Sequence, residues 1–175
     1  MKSLIIYGSQ YGTAKAYAAK LSEITGIPCV SYKNIKDIRD YEQIIYLGGL
    51  YAGGVKGLKS TFRRLKHSNV KTIVVTVGLA DVKKQENTDH IKASVAKQIE
   101  KDILENSLIF HLRGGIDYSK LNFKHKMMMK MLMHSLKSKP AESLTQEDKT
   151  LIETYNKKVD FLDYDSLKQI AEVIQ

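Results

Sequence analysis

Three short stretches hold residue types that can act on a ligand. The first is Gly8-Ser9-Gln10-Tyr11-Gly12-Thr13-Ala14, which follows the apolar run Leu4-Ile5-Ile6-Tyr7 and leads into a helical pattern at Ala14, Tyr17, Ala18 and Leu21. A buried strand that turns through small and hydroxyl-bearing residues into a helix makes a seat for a phosphate. The first N–H groups of the helix have no intrahelical partner, the helix dipole favours an anion, and the Ser9 and Thr13 hydroxyls can donate. No Gly-Lys pair stands where a triphosphate loop needs one, and the G-x-G-x-x-G spacing of a dinucleotide fold is absent. The second stretch runs from Gly49 through Leu50, Tyr51, Ala52, Gly53 and Gly54. An aromatic flanked by glycines suits a flat heterocycle, because Tyr51 can stack on its face while Gly53 and Gly54 let the backbone approach its edge. The third is Gly78-Leu79-Ala80-Asp81, a small-residue turn after another apolar run.

None of these stretches can carry a reaction alone. The five histidines, His67, His90, His111, His125 and His134, make no pair at metal-ligand spacing with a cysteine or carboxylate, so no metal is expected. Neither a nucleophile–base pair nor two facing carboxylates can be read, and no side chain is assigned as catalytic. The chemistry must come from a cofactor, with the protein supplying position and electrostatics.

The elements that would position these loops alternate. Apolar runs at 4–7, 29–32, 43–49, 72–79 and 107–112 read as strands, and helical patterns follow at 14–21, 57–66 and in the four-spaced stripe Ile91, Val95, Ile99 and Ile103, with Asn87, Thr88 and Asp89 as caps. Residues 83–87 read as a solvated linker. Asp165 or Ser166 opens a last helix carrying Leu167, Ile170, Ala171 and Ile174. Five β–α units with apolar strands predict an α/β fold: a doubly wound, five-stranded parallel sheet with helices on both faces. Its ligand should lie at the carboxyl ends of the strands, where all three stretches fall.

The 175 residues suit one domain, and the hydrophobic share of 43% is that of a globular protein. No apolar stretch reaches bilayer length, no leader pattern is read, and the lone Cys29 fits a reducing compartment, so a cytoplasmic location is expected. The net charge of +9 points to an anionic partner: a membrane face or a carboxylate-bearing substrate. No nucleic-acid motif is present, and nucleic acid is not expected as a partner.

The pattern of strand, Ser9-x-x-Gly12-x-Ala14 and helix resembles the phosphate loop of flavodoxins, which hold flavin mononucleotide (FMN). The resemblance implies that residues 9–14 hold the phosphate and that the ring lies between Tyr51 and the Gly78–Asp81 turn. The chain departs from that family in having Ala14 where a third hydroxyl is usual, and in being basic where electron-shuttling flavodoxins are acidic. The Gly48–Gly53 stretch is similar to the G-x-x-Y-A-G segment of flavodoxin-like quinone-linked enzymes.

About fifty residues separate the fifth strand from the last helix, far more than such a unit needs. This insertion, about 113–158 and placed after or within strand five, carries Arg113, Tyr118 and then a basic, Met-rich helix over about 121–136, followed by a segment read as irregular, Ser138 to Lys158. A small-residue turn, a tyrosine, such a helix and the later Val159–Asp165 stretch resemble the flavodoxin-fold, menaquinone-dependent protoporphyrinogen IX dehydrogenases. That resemblance implies an FMN-dependent oxidoreductase with a quinone or porphyrinogen-like partner, and substrate or partner contacts from Arg113, Tyr118, Met127, Met128 and Met131. On a helical wheel the apolar residues between Met127 and Leu136 spread over roughly two-thirds of the circumference, against the about 100° that one core contact requires. A second apolar neighbour is therefore expected: a substrate, a protein, or a membrane surface met peripherally. The rivals are an electron carrier docking on redox proteins and a flavin-free interaction module of the same fold. A response-regulator receiver is excluded, because the acidic cluster such a domain needs after strand one is absent.

Overall fold

The computed structural model describes residues 1–51, 53–65 and 70–174, so Ala52, Lys66 and His67 lie outside the described residues. The chain runs β1 (Ser3–Gly8), α1 (Thr13–Thr25), β2 (Cys29–Ser31), β3 (Gln43–Tyr51), the two-residue β4 (Gly54–Val55), α2 (Leu58–Phe62) and β5 (Lys71–Gly78). It continues through α3 (Gln85–Ala96), α4 (Lys101–Glu105), β6 (Ser107–Arg113), β7 (Gly115–Asp117), α5 (Phe123–Lys137), α6 (Gln146–Thr154), β8 (Lys158–Asp160) and α7 (Leu167–Val173).

The sheet has the order β2-β1-β3-β5-β6 with every pair parallel, the expected α/β fold. Its register explains the apolar runs. Ile5, Ile45 and Ile73 lie side by side across three strands, and the next row is Ile6, Tyr46 and Val74. Successive side chains leave opposite faces of a strand, so both faces need an apolar set. The first row packs against Tyr17 and Leu21 of α1 and Leu167 and Ile170 of α7. The second packs against Leu58 and Phe62 of α2 and Ile91 and Val95 of α3. Each fully buried isoleucine contributes about 1.5–3 kcal/mol, so these rows anchor the fold.

Several local expectations need correction. The stripe from Ile91 to Ile103 is divided between two helices, because α3 stops at Ala96 and α4 starts at Lys101. All four residues still enter one core cluster. Residues 83–87 are not a solvated linker: α3 begins at Gln85, and Asn87 is buried with its Nδ2 donating to the Asp81 carbonyl at 2.7 Å. Asn87, Thr88 and Asp89 therefore lie inside the helix rather than capping it. At the last helix, Asp163 caps a preceding 3-10 turn, and Ser166 stands at the N-cap without a side-chain capping bond.

Beyond β6 the chain leaves the sheet and returns. β7 and β8 form a separate antiparallel ribbon, with Ile116 opposite Val159. Both ends of the excursion meet at Tyr17, a fully buried residue of α1. Its hydroxyl donates to the Arg113 carbonyl (2.7 Å) and accepts from the Asp163 N–H (2.9 Å). The Gly114 N–H donates to the Gly78 carbonyl at 2.6 Å. A Cβ at Gly114 would press on Val77 and Thr13, so only glycine lets the ribbon cross so closely over the sheet.

Within the excursion, Asn122 caps α5 by accepting from the His125 N–H at 2.9 Å. The segment expected to be irregular contains α6, opened by a capping box in which Thr145 and Asp148 each bond the other's main chain. Met129 joins Ile116, Tyr118 and Leu121 in a small third cluster, against Tyr11, Leu151 and Tyr155. Among the described residues no helix is long and apolar enough to cross a membrane.

Candidate functional site

A cavity of about 490 Å3 opens over the carboxyl ends of the central strands, within the usual range for small-molecule sites. Its floor and one end come from Ser9, Gln10, Tyr11, Thr13 and Ala14. Its middle comes from Gly49, Leu50, Tyr51, Gly53, Gly78 and Leu79. The three stretches singled out in the sequence therefore share one cavity.

The turn at residues 9–13 has a definite hydrogen-bond pattern. Gly12 adopts φ +94°, a left-handed conformation that favours glycine, and its N–H donates to Ser9 Oγ at 3.0 Å. Thr13 Oγ1 donates to the Gly115 carbonyl at 3.0 Å. The expectation that both hydroxyls face a ligand is thus corrected: the Thr13 proton is spent on the β7 ribbon, while the Ser9 hydroxyl keeps its own proton to donate. The N–H groups of Gln10, Tyr11, Thr13 and Ala14 make no hydrogen bond to another described residue. They stand at the positive end of α1.

Tyr51 is held from several sides. It ends β3, which pairs with β4, and two side chains hold β4's approach: Ser94 Oγ of α3 donates to the Gly53 carbonyl (3.0 Å), and Gln98 Oε1, just past α3, accepts from the Val55 N–H (3.2 Å). Lys56 Nζ lies 4.7 Å from the centre of the Tyr51 ring. Tyr11 and His125 meet that ring edge-on, each with centres 6.2 Å away. The Tyr51 hydroxyl contacts Met128 Sδ at 3.5 Å, and Gln10 Nε2 lies 2.9 Å from His125 Nε2. Burial raises the Tyr11 phenol, and the neighbouring Tyr51 adds to the effect.

Other predicted residues lie elsewhere. Gly12 does not line the cavity; it shapes the turn. Gly54 and Ala80 line a smaller neighbouring cavity of about 170 Å3. The Asp81 main chain and carboxylate are engaged by Asn87 and Lys83, so Asp81 fixes the start of α3 rather than facing a ligand. Arg113 Nε and Nη2 both donate to the Leu79 carbonyl, and its guanidinium stacks on Phe161 at 3.9 Å. It fastens the loop after β5 instead of lining the cavity. Tyr118 is buried in the third cluster beside Tyr155, with a hydroxyl that lacks a partner, and burial pushes its phenol up to about 12. Met128 lines the cavity, whereas Met127 and Met131 point outward, 47% and 70% exposed, with Phe123 at 80%. These three, spaced by four, form one solvent-facing stripe on α5.

The Met-rich helix expected to meet a second apolar neighbour lines the cavity through Met128, Met129, Leu132 and Leu136 of α5. The sequence did not indicate the rest of this roof, Lys139 and then Glu147, Asp148 and Leu151 of α6. A signal existed: Thr145-x-x-Asp148 before Leu151 is a helix-opening pattern. Among the described residues no group of three His, Cys, Asp or Glu side chains can hold a metal ion.

No curated protein matches the chain. Among solved structures, it is similar to a flavoprotein in complex with FMN from Lactobacillus acidophilus NCFM, at 12% identity over 64% of this chain and 91% of that one, TM-score 0.46. It is also similar to a point mutant of flavodoxin from Pseudomonas aeruginosa (15%, 77% and 96%, TM-score 0.43). A third is a Fusobacterium nucleatum flavodoxin bound to flavin mononucleotide (13%, 71% and 76%, TM-score 0.45). These likenesses are too distant to carry an argument, and the family rests on sequence. Residues 4–143, about four-fifths of the chain, match the flavodoxin domain, and the chain belongs to that family.

Proposed function

We propose that the large cavity holds one FMN and that the protein passes electrons between this flavin and an apolar redox partner. The observation that carries the proposal is the meeting, in one cavity, of unpaired main-chain amides at a strand-to-helix turn with Tyr51 and a set of glycines. The residues fit the group. The N–H groups of Gln10, Tyr11, Thr13 and Ala14 and the Ser9 hydroxyl offer donors to a phosphate without help from a cation. Gly49, Gly53 and Gly78 bring bare main chain to a ring edge, and Tyr51 and Leu79 supply apolar contact. Bound FMN supplies the redox chemistry; the chain binds it, orients it and keeps water away with the Met and Leu side chains of α5.

The finer reading is a protoporphyrinogen dehydrogenase-like oxidoreductase that delivers electrons to a quinone. Two features support it over a carrier that docks on redox proteins. The α5 roof offers soft, adaptable apolar surface to a second planar ligand. The outward stripe of Phe123, Met127 and Met131 is interleaved with Lys124, Lys126 and Lys130, which suits peripheral contact with an anionic membrane in which a quinone dissolves.

The test of the cofactor is reconstitution. Purified protein mixed with FMN is expected to turn yellow, to release FMN on denaturation, and to bind riboflavin at least about tenfold more weakly, since riboflavin lacks the phosphate and its charge-assisted hydrogen bonds. Equal affinity for the two would refute the phosphate seat, and a colourless protein indifferent to FMN would refute the whole proposal. For the partner, anaerobic oxidation of porphyrinogen with a menaquinone analogue is expected in the holoprotein; its absence beside efficient exchange with a redox protein would favour the carrier.

A further inference from the structure

Glu147 sits where the two cavities meet. It lines the large one with Tyr51 and Met128, and the small one with Gly53, Ala80 and His90. No residue of the 9–14 turn lines the small cavity, so Glu147 marks the end of the site away from the phosphate seat. It is partly buried, and its carboxyl makes no hydrogen bond or ion pair with another described residue. Its helix neighbour Asp148 is committed to the cap of α6. A carboxyl turned into a cavity and away from bulk water without a partner is costly unless a ligand completes it.

We propose that the carboxyl of Glu147 recognises the imide edge of the flavin ring. This rests on the FMN reading above. A neutral carboxyl presents one donor and one acceptor side by side, the complement of the adjacent N–H and C=O of an imide. A carboxylate presents acceptors only. Burial and the adjacent Asp148 raise the carboxyl above its ordinary range, while His90 across the small cavity works the other way. Lys139 is the cation lining the large cavity, and Tyr11 and Tyr51 are its phenols.

The test measures the affinity of the full chain for FMN and for N3-methyl FMN between pH 5 and 8. Wild type, Glu147→Gln and Glu147→Leu are compared. Glutamine also offers one donor and one acceptor, so Glu147→Gln should bind FMN as wild type does where the Glu147 carboxyl is protonated. Wild type should then weaken about tenfold relative to it as pH rises and the acid ionises. The ionisation of FMN's own phosphate is common to all three and cancels in the ratio. Wild type and Glu147→Gln should disfavour N3-methyl FMN about tenfold, and Glu147→Leu should not discriminate. A wild-type to Glu147→Gln ratio that is flat with pH, or unchanged discrimination in Glu147→Leu, would overturn the assignment of Glu147 and leave FMN binding intact. Failure of all three to bind FMN would remove the cofactor reading and this inference together.

Discussion

The central sheet and the excursion from Gly114 to Asp160 are built on different terms. In the sheet, Ile5, Ile45, Tyr46 and Val74 are wholly buried and each face is sealed by helices. In the excursion, a two-stranded ribbon and two helices share a cluster of four buried residues, and much of what α5 and α6 turn inward faces the cavity instead of other protein. A ribbon of two strands is marginal by itself. The excursion therefore leans on its anchor at Tyr17, on the small cluster and on whatever fills the cavity. The sheet closes on its own helices, and the roof closes over a cavity.

The largest expected effect tests the sheet. Ile45→Ala should cost about 4 kcal/mol in chemical denaturation, while the matching truncation in the excursion, Met129→Ala, should cost about 2 kcal/mol. Equal costs would erase the contrast. Next, FMN at a hundred times its Kd should protect amides of α5 and α6 from hydrogen exchange by about 2.7 kcal/mol. Protection confined to the 9–14 turn would mean the roof does not contact the ligand. Third, Tyr17→Phe leaves the Arg113 carbonyl and the Asp163 N–H without their shared partner, at a cost of about 2 kcal/mol. The loss should appear as faster exchange in β7 and β8.

The smallest effect concerns the sheet's edge. His111 donates to or accepts from Thr76 Oγ1 through Nδ1 (2.7 Å), and its Nε2 is buried without a partner. Burial, and to a lesser degree Lys92, lower its pKa from 6.5 to about 4. Between those values the unfolded chain binds the proton and the folded chain does not, so stability should fall as pH drops from about 6.5 to about 4. Because the ring is partly exposed, the loss is discounted to about 1 kcal/mol. His111→Gln should flatten that part of the pH–stability curve, measured by denaturation; an unchanged slope would assign it to another group.

The apolar strands and the three small-residue stretches at their carboxyl ends were legible because each depends on neighbours in sequence: a strand needs its own apolar run, and a tight turn its own small residues. The break between Ala96 and Lys101 was not legible, since Ile91 to Ile103 keep one stripe whether or not the helix is continuous. Helix α6 was missed because only Leu151 and Ile152 stand out in a polar segment; its capping box was the available sign. Arg113 and Tyr118 have residue types that suit ligand contact, yet Arg113 is held by Leu79 and Tyr118 packs beside Tyr155, while Met127 and Met131 face solvent rather than the cavity.

By itself, then, the sequence determined the parallel sheet, its helical layers and the strand ends at which a ligand would be met, because hydrophobic period and turn chemistry are local properties. Only the tertiary structure decided which side chains face the cavity: that α6 brings Glu147 to it, that Arg113 is spent on Leu79, and that α5 turns Met128 inward and Met131 to water. Those outcomes depend on how distant segments pack, and no spacing along the chain encodes which of two apolar faces finds a neighbour.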